Sequence, residues 1–383
     1  MSDFDLGPNV GLIGRTESRA EIETPALVLD VDRLDKNIRT LAEHASTNGY
    51  LIRACGKIHK SVEIARRQVQ AGAVGVCCAT LREAEAFVAG GIRGVMLFTS
   101  VVSEAKLNRL AALNARAQDL IVVIDSSNNV EQIGNAVRKT GKTLQVMVDF
   151  ELGGRRTGVA SAAEVVALAR QISNEGCLEF VGIQGYNGRG LALPDFDARR
   201  KIQLDRLSQL SKLVEILDAE GLHPRIVSGG GTGSHDIDPE AQVFTEIQAG
   251  TYVFMDLYYK ETAMRRGEPH PFEHALSVRG SVISAAQKGF VITDVGVKEV
   301  DGANTQLSPT LISGAPDGAN YSLVGDDLGR IDFLNDDDRL PVGSAIELLP
   351  PHCYQTVDLH SVYHCVKGNT LVDIWPIDAA GNW

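Results

Sequence analysis

No run in this 383-residue chain stays apolar for anything near the ~20 residues that a membrane-spanning helix needs, so no membrane span is expected. Basic residues are in deficit. Against 49 Asp and Glu stand 37 Lys and Arg, and the resulting net charge of −12 argues against nucleic acid as a partner, because phosphate binding needs a basic face. Cysteine is sparse: six in all, with Cys77 and Cys78 adjacent in an apolar stretch, which is no disulfide framework. Buried, reduced thiols fit better. The opening segment Met1-Ser-Asp-Phe-Asp-Leu6 has neither the basic nor the apolar part of a secretory signal, so a soluble cytoplasmic protein is expected. Three catalytic signatures are also missing. No glycine-rich run ends in the lysine of a nucleotide P-loop, no G-x-G-x-x-G follows a strand, and no G-x-S-x-G elbow occurs. There is no internal repeat and no low-complexity tract.

What is present is an ordinary globular composition, 44% apolar and 22% charged, in a pronounced alternation. Short apolar runs at 50–54, 73–78, 94–98, 120–125, 144–150, 180–184, 224–228 and 251–255 are mostly continuous rather than alternating, as strands buried on both faces must be. Helical patterns such as 61–71, 81–89, 161–175 and 197–220 lie between them. Eight β-α repeats predict a (β/α)8 barrel, with a doubly wound open sheet as the alternative. Ahead of it, 26–29 reads as a strand and Asp32 as the cap of a helix over 33–45. Beyond Asp256 come short β-like runs at 275–282, 290–294, 321–324, 345–349, 361–366 and 370–375, which predict an all-β domain; the Asp-rich stretch 326–340 reads as a solvated loop. The expected division is a barrel over 24–265 and a β domain made of 1–23 and 266–383.

Barrel active sites lie at the C-terminal ends of the strands. On these assignments Lys57 follows the first strand, Arg156 the fifth, Tyr186 and Asn187 the sixth, the run Gly229-Gly-Gly-Thr-Gly-Ser234 the seventh and Asp256 the eighth. A lysine there can form an imine with a cofactor aldehyde, provided that desolvation or cationic neighbours such as Arg53, His59 and Lys60 depress its ordinary pKa of ~10.4. Successive glycine N–H groups, with the Thr232 or Ser234 hydroxyl, can cradle a phosphate. Lysine plus cradle is what pyridoxal 5′-phosphate (PLP) requires. Each alone has a plainer explanation, a solvent-exposed lysine and a tight loop. His352 and Cys353 are adjacent and so converge poorly on one metal ion; a structural pair is the plainer reading.

Several motifs together resemble one family: Glu23-Thr-Pro-Ala-Leu-Val-Leu-Asp30, Gly56-Lys-Ile-His-Lys60, Gly75-Val-Cys-Cys78, Ser228-Gly-Gly-Gly-Thr-Gly-Ser234, the segment from Glu246 to Asp256, Asp294-Val-Gly-Val-Lys298 and Trp375-Pro-Ile377. Over essentially its whole length the chain is similar to the D-threonine aldolase and D-serine dehydratase family of fold-type III PLP enzymes, which includes the D-3-hydroxyaspartate aldolases. The resemblance implies an alanine racemase-like barrel with a C-terminal β domain, and a homodimer. It implies PLP on Lys57, its phosphate on Gly230, Gly231 and Thr232, and Arg156, Tyr186, Ser228, Tyr252 and Asp256 as further cofactor contacts. Lys57 and Tyr186 are the implied catalytic groups. The implied substrate is a small D-3-hydroxy-α-amino acid, cleaved to glycine and an aldehyde; dehydration, racemisation or epimerisation on the same barrel are alternatives, with Tyr186, Tyr252 or Tyr354 as a second base. A non-catalytic PLP carrier is disfavoured by the β domain.

The departures matter. Members usually hold a divalent metal on a His-x-Asp or His-x-Cys pair, whereas here the motif is His352-Cys-Tyr354, so His352 survives and Tyr354 replaces the second ligand. Reduced or lost metal dependence is therefore expected. Cys55 stands where the family has histidine, and Ala79 and Thr99-Ser100 also differ. The roles of Cys55, Asp294 and Lys298 are left open, as is the substrate side chain.

Overall fold

The computed structural model describes residues 5–188, 190–265, 267–302, 307–335 and 338–381. Strand β1 (Ala26–Asp30) runs directly into helix α1 (Val31–Asn48). Because no loop separates them, the last extended residue is Asp30, and Asp30 rather than the expected Asp32 caps the helix by accepting from the Arg33 N–H at 3.0 Å.

Eight parallel strands then close on themselves: β2 (Leu51–Cys55), β3 (Gly75–Cys78), β4 (Met96–Leu97), β5 (Ile121–Ile124), β6 (Leu144–Phe150), β7 (Leu178–Gly185), β8 (Ile226–Gly229) and β9 (Glu246–Ile247), with β9 pairing back onto β2. Closure removes the open-sheet alternative. The intervening helices are α2 (Val62–Gln70), α3 (Leu81–Ala89), α4 (Glu104–Arg116), α5 (Ser127–Val137), α6 (Ala162–Asn174), α7 (Phe196–Ala219) and α8 (Asp238–Ala241). Seven of the expected strands are present, but the eighth is not at 251–255. That segment opens as a 3₁₀ turn, Thr251–Val253, and the closing strand is Glu246–Ile247. A two-residue strand with a buried carboxylate has no apolar signature; Glu246 is tolerated because Arg53 of β2 meets it with two hydrogen bonds of 2.6 and 2.7 Å. Helix α1, although first in sequence, packs against the turn that follows β9, and Asn37 Nδ2 donates to the Val253 carbonyl at 3.1 Å.

The remaining strands are β10 (Leu276–Ser284), β11 (Phe290–Thr293), β12 (Thr310–Ser313), β13 (Asn320–Leu323), β14 (Gly329–Asp332), β15 (Ala345–Leu349), β16 (Val362–Lys367) and β17 (Thr370–Pro376), with the short helix α9 (Cys353–Val357) between β15 and β16. They form a nine-stranded sheet in which β1 lies antiparallel to β10 and parallel to β16. Strand β1 thus belongs to the β sheet, not to a barrel beginning at residue 24; its both-face burial comes from that central position. Strands β12 and β14 were not expected. Strand β14 lies inside the stretch read as a solvated loop: Gly329 and Ile331 are buried between β11 and β13, while Asp326 and Asp327 ahead of it are exposed. Residues before β1 pack on β17, through the Gly14 N–H to the Leu371 carbonyl at 2.8 Å and the Leu371 N–H to Ser18 Oγ at 2.9 Å. No helix among the described residues is long and apolar enough to cross a membrane.

Candidate active site

At the C-terminal ends of the barrel strands lies a cavity of about 310 Å³, within the range of small-molecule sites. Of the residues singled out in the sequence, Lys57, Arg156, Tyr186, Gly231, Thr232, Asp256, His352 and Tyr354 line it. Ser228, Gly230 and Tyr252 do not. Ser228 is buried within the barrel, Gly230 packs on Asp238, and the Tyr252 hydroxyl is sequestered as acceptor of the Gln68 amide at 3.0 Å, which removes it as a second base.

Lys57 sits in a 3₁₀ turn, Gly56–Ile58, immediately after β2, with its Nζ 5.7 Å from the Phe98 ring centre and 5.6 Å from that of Tyr354. The cationic neighbours expected to act on it are all spoken for. Arg53 is neutralised by Glu246, Lys60 is paired with Asp358, and His59 is wholly buried and neutral, pushed down to about 3 by desolvation. Cys55, whose role the sequence left open, lines the cavity beside Lys57; its thiol is lowered by a hydrogen bond from Cys77, its partner across β2 and β3.

The glycine-rich run supplies the cradle. A Cβ on Gly233 would lie 2.0 Å from the Leu191 carbonyl oxygen, so only glycine allows that approach. Thr232 Oγ1 accepts from the Tyr252 N–H at 3.1 Å, which leaves its own proton for a ligand. Ser234 turns away, donating to Asp238 Oδ2 at 2.7 Å. The Arg156 guanidinium lies 4.8 Å from the centre of the Tyr186 ring, whose hydroxyl burial holds in the neutral form. Asp256 is buried, with Oδ2 accepting from the Cys353 N–H at 3.0 Å and Oδ1 without a partner; burial pushes its carboxyl up to about 6. A lysine, an anion cradle and an unpartnered carboxylate oxygen around one cavity fit a phosphorylated, polar cofactor such as PLP.

Under the cavity runs a hydrogen-bonded spine that sequence reasoning missed. Glu246 Oε1 accepts from Ser228 Oγ (2.8 Å), Gln248 Nε2 donates to Ser228 Oγ and to Gln184 Oε1 (3.0 Å each), and Gln184 Nε2 donates to Asp149 Oδ1 (3.0 Å). Only the polar residues interrupting otherwise apolar strands could have signalled it. Tyr258 and Tyr259, also in the cavity wall, directly follow the Asp256 motif, and that adjacency is their only signal in the sequence.

The β domain closes the cavity through the segment that carries α9. His352 Nδ1 donates to the buried Asp301 carboxylate at 3.1 Å, which orients the ring and leaves Nε2 for a ligand. Tyr354 is a phenol that burial raises further, a poor metal ligand. A metal site needs three or four convergent ligands. Among the described residues the only group of three His, Cys or carboxylate ligands with atoms within 4.8 Å of one another is His44, His235 and Asp236, away from this cavity, and there His44 Nε2 already bonds the His235 carbonyl at 3.1 Å. The His352–Tyr354 pair therefore does not fit a metal. Asp294 and Lys298 support the fold: Asp294 accepts from the Thr24 hydroxyl and the Ser281 N–H, both at 2.6 Å, and Lys298 pairs with Asp327 on the surface.

Comparison with known proteins gives the same picture. The model of the alanine racemase N-terminal domain matches residues 29–257, and that of a serine dehydratase domain matches 275–366. A 3-hydroxy-D-aspartate aldolase of Paracoccus denitrificans (strain Pd 1222) is 34% identical, covering 100% of this chain and 98% of its own length. A D-threo-3-hydroxyaspartate dehydratase of Delftia sp. (strain HT23) is 28% identical over 92% of this chain and 97% of its own. The crystal structure of D-threonine aldolase from Filomicrobium marinum superposes with a TM-score of 0.88 at 32% identity, covering 94% of this chain and 96% of that one. With both domain matches in chain order and a relative 34% identical over the whole chain, this protein belongs to the family that joins an alanine racemase N-terminal domain to a serine dehydratase domain.

Proposed function

We propose that the protein is a PLP-dependent lyase that cleaves a D-3-hydroxy-α-amino acid to glycine and an aldehyde. The observation that carries the reading is the meeting of Lys57, the Thr232 cradle and His352 in one cavity. Lys57 would hold the cofactor through Nζ, Thr232 its phosphate, with Gly231 in the cavity wall beside it, and Arg156, Tyr186 and Asp256 its polar ring substituents. When bound, PLP supplies an electron sink for the charge that develops at the substrate α-carbon. His352 is placed by Asp301 to accept the β-hydroxyl proton at Nε2, so that the bond between the α- and β-carbons breaks as the β-carbon becomes a carbonyl. The α-carbon is then protonated from Lys57 or from Tyr354, a neutral acid close to it. Because Tyr354 supplies no second ligand, turnover is expected without a divalent metal. Dehydration of the same substrate is the second reading, supported by the Delftia relative. A homodimer is expected from the family resemblance and a cytoplasmic location from the cysteine usage and the opening segment; gel filtration with light scattering tests the dimer.

Product analysis of the PLP-loaded protein with D-threonine and D-threo-3-hydroxyaspartate, with and without Mn²⁺, separates these readings. Glycine without ammonia is the expected result. Ammonia with a 2-oxo acid would make the enzyme a dehydratase, and loss of turnover on adding EDTA would overturn the metal-independent reading.

A further inference from the structure

Beneath the glycine-rich loop lies a carboxylate that the proposed chemistry does not use. Asp238, at the start of α8, is 2% exposed. Ser234 Oγ donates to its Oδ2 at 2.7 Å, Gln203 Nε2 from α7 donates to its Oδ1 at 2.7 Å, and the Gly231 N–H is also directed at it. The approach is close: a Cβ on Gly230, where φ is +65°, would lie 2.2 Å from Asp238 Oδ2. Gly230 is therefore required by Asp238, not by the cavity it was expected to line. Gly231 and Thr232 face the cavity that holds Lys57, whereas Asp238 lines a second cavity of about 300 Å³ with Asn48, Tyr50 and Gln242. The loop backbone thus separates the phosphate cradle from a buried carboxylate.

We propose that Asp238 is the positioning residue of this cradle, and that it takes up a proton when a dianionic phosphate binds on the other face of the loop. The proposal rests on the PLP reading. Two anions separated by one strand of backbone in a buried setting do not both stay ionised cheaply. Burial already pushes the Asp238 carboxyl up to about 7 in spite of its donors, so a modest added field protonates it near neutrality. The surrounding groups leave it without a counter-charge. Tyr50, from the segment before β2, is kept neutral by burial; His235 of the loop is neutral, pushed down to about 3; Asp236 lies 3.9 Å from His44 of α1 and 3.7 Å from Arg265; Glu240 pairs with Arg200 at the surface. Among the described residues no cation pairs with Asp238. The second cavity gives the carboxyl a path for proton exchange that does not cross the cofactor site.

The test uses 4′-deoxypyridoxine 5′-phosphate, which carries the phosphate but no aldehyde and so keeps Lys57 chemistry out of the measurement. The full-length protein and its Asp238→Asn variant are titrated calorimetrically between pH 6.5 and 8.5, in two buffers of different ionisation enthalpy. The expected result is greater proton uptake by the wild type, and a wild-type affinity that falls about tenfold more than the variant's between pH 7 and 8.5. Equal proton numbers and parallel pH profiles would overturn the proposal while leaving the cofactor reading intact. Failure of both the analogue and PLP to bind the wild type would overturn the cofactor reading itself, and the proposal with it. Should Asp238→Asn fail to fold, Ser234→Ala removes one donor to the carboxylate and must move the midpoint of proton uptake to higher pH; an unmoved midpoint overturns the proposal.

Discussion

The two walls of the Lys57 cavity are built differently. The barrel wall rests on the bidentate pair of Arg53 and Glu246 and on the amide and hydroxyl chain from Ser228 through Gln248 and Gln184 to Asp149, so most of its buried polar groups have partners. The β-domain wall is the five-residue helix α9 and the residue before it, tied to the barrel where the Cys353 N–H meets Asp256 and oriented by Asp301. A wall fixed by a connected network specifies one geometry and tolerates few changes. A short segment on a few tethers can change a side chain such as Tyr354 and leave the other wall in place.

Breaking the barrel wall should cost most. Lys57→Ala is expected to lower glycine release by at least about a thousandfold, the scale on which losing a covalent catalytic group acts. Glu246→Ala leaves Arg53 charged and unpaired inside the barrel, and urea unfolding should register a loss of about 3–5 kcal/mol. A third test concerns pH. His235 is buried and neutral, its folded pKa pushed below the ordinary value to about 3. Above about pH 6.5 both folded and unfolded states leave it uncharged; below that, the unfolded chain binds a proton that the folded chain refuses. Stability from this group is therefore lost as pH falls. His235→Phe should become more stable relative to the wild type by about 1.4 kcal/mol for each unit of acidification from pH 6.5 toward 4, read from paired denaturation curves. The smallest change should come on the β-domain wall: Tyr354→Phe keeps the ring and is expected to reduce turnover less than about tenfold, since Lys57 can still deliver the proton. A larger loss would make Tyr354 the principal acid.

Most of the barrel was legible because strands buried on both faces must be continuously apolar, and seven of the eight were. The eighth was not, because Glu246 is buried by virtue of Arg53, some 190 positions away, a pairing that local composition does not carry. Strand β14 was hidden for the converse reason: its burial depends on β11 and β13, while its Asp-rich flanks dominate the local signal. In the site, groups that follow strand ends were found by position. Ser228, Gly230 and Tyr252 do not line the cavity, for a shared reason. They belong to the motif but serve its interior, where Glu246, Asp238 and Gln68 hold them. Asp301, which orients His352, lies 51 positions from it in a segment without pattern and could not have been anticipated.

The position of β1 between β10 and β16 has a consequence for synthesis. Both neighbours are translated after the whole barrel, roughly 245 residues after Asp30, so at 5–20 residues per second β1 waits on the order of ten to fifty seconds for its first partner. During that interval an apolar strand with two open edges precedes a barrel that is free to form, and such a strand is prone to pair with another chain. A nascent chain stalled after β9 has emerged but before β10 has should therefore yield a species with an assembled barrel and a sticky β1, and chaperones that shield short extended segments should act on this protein early, well before its C-terminal residues emerge.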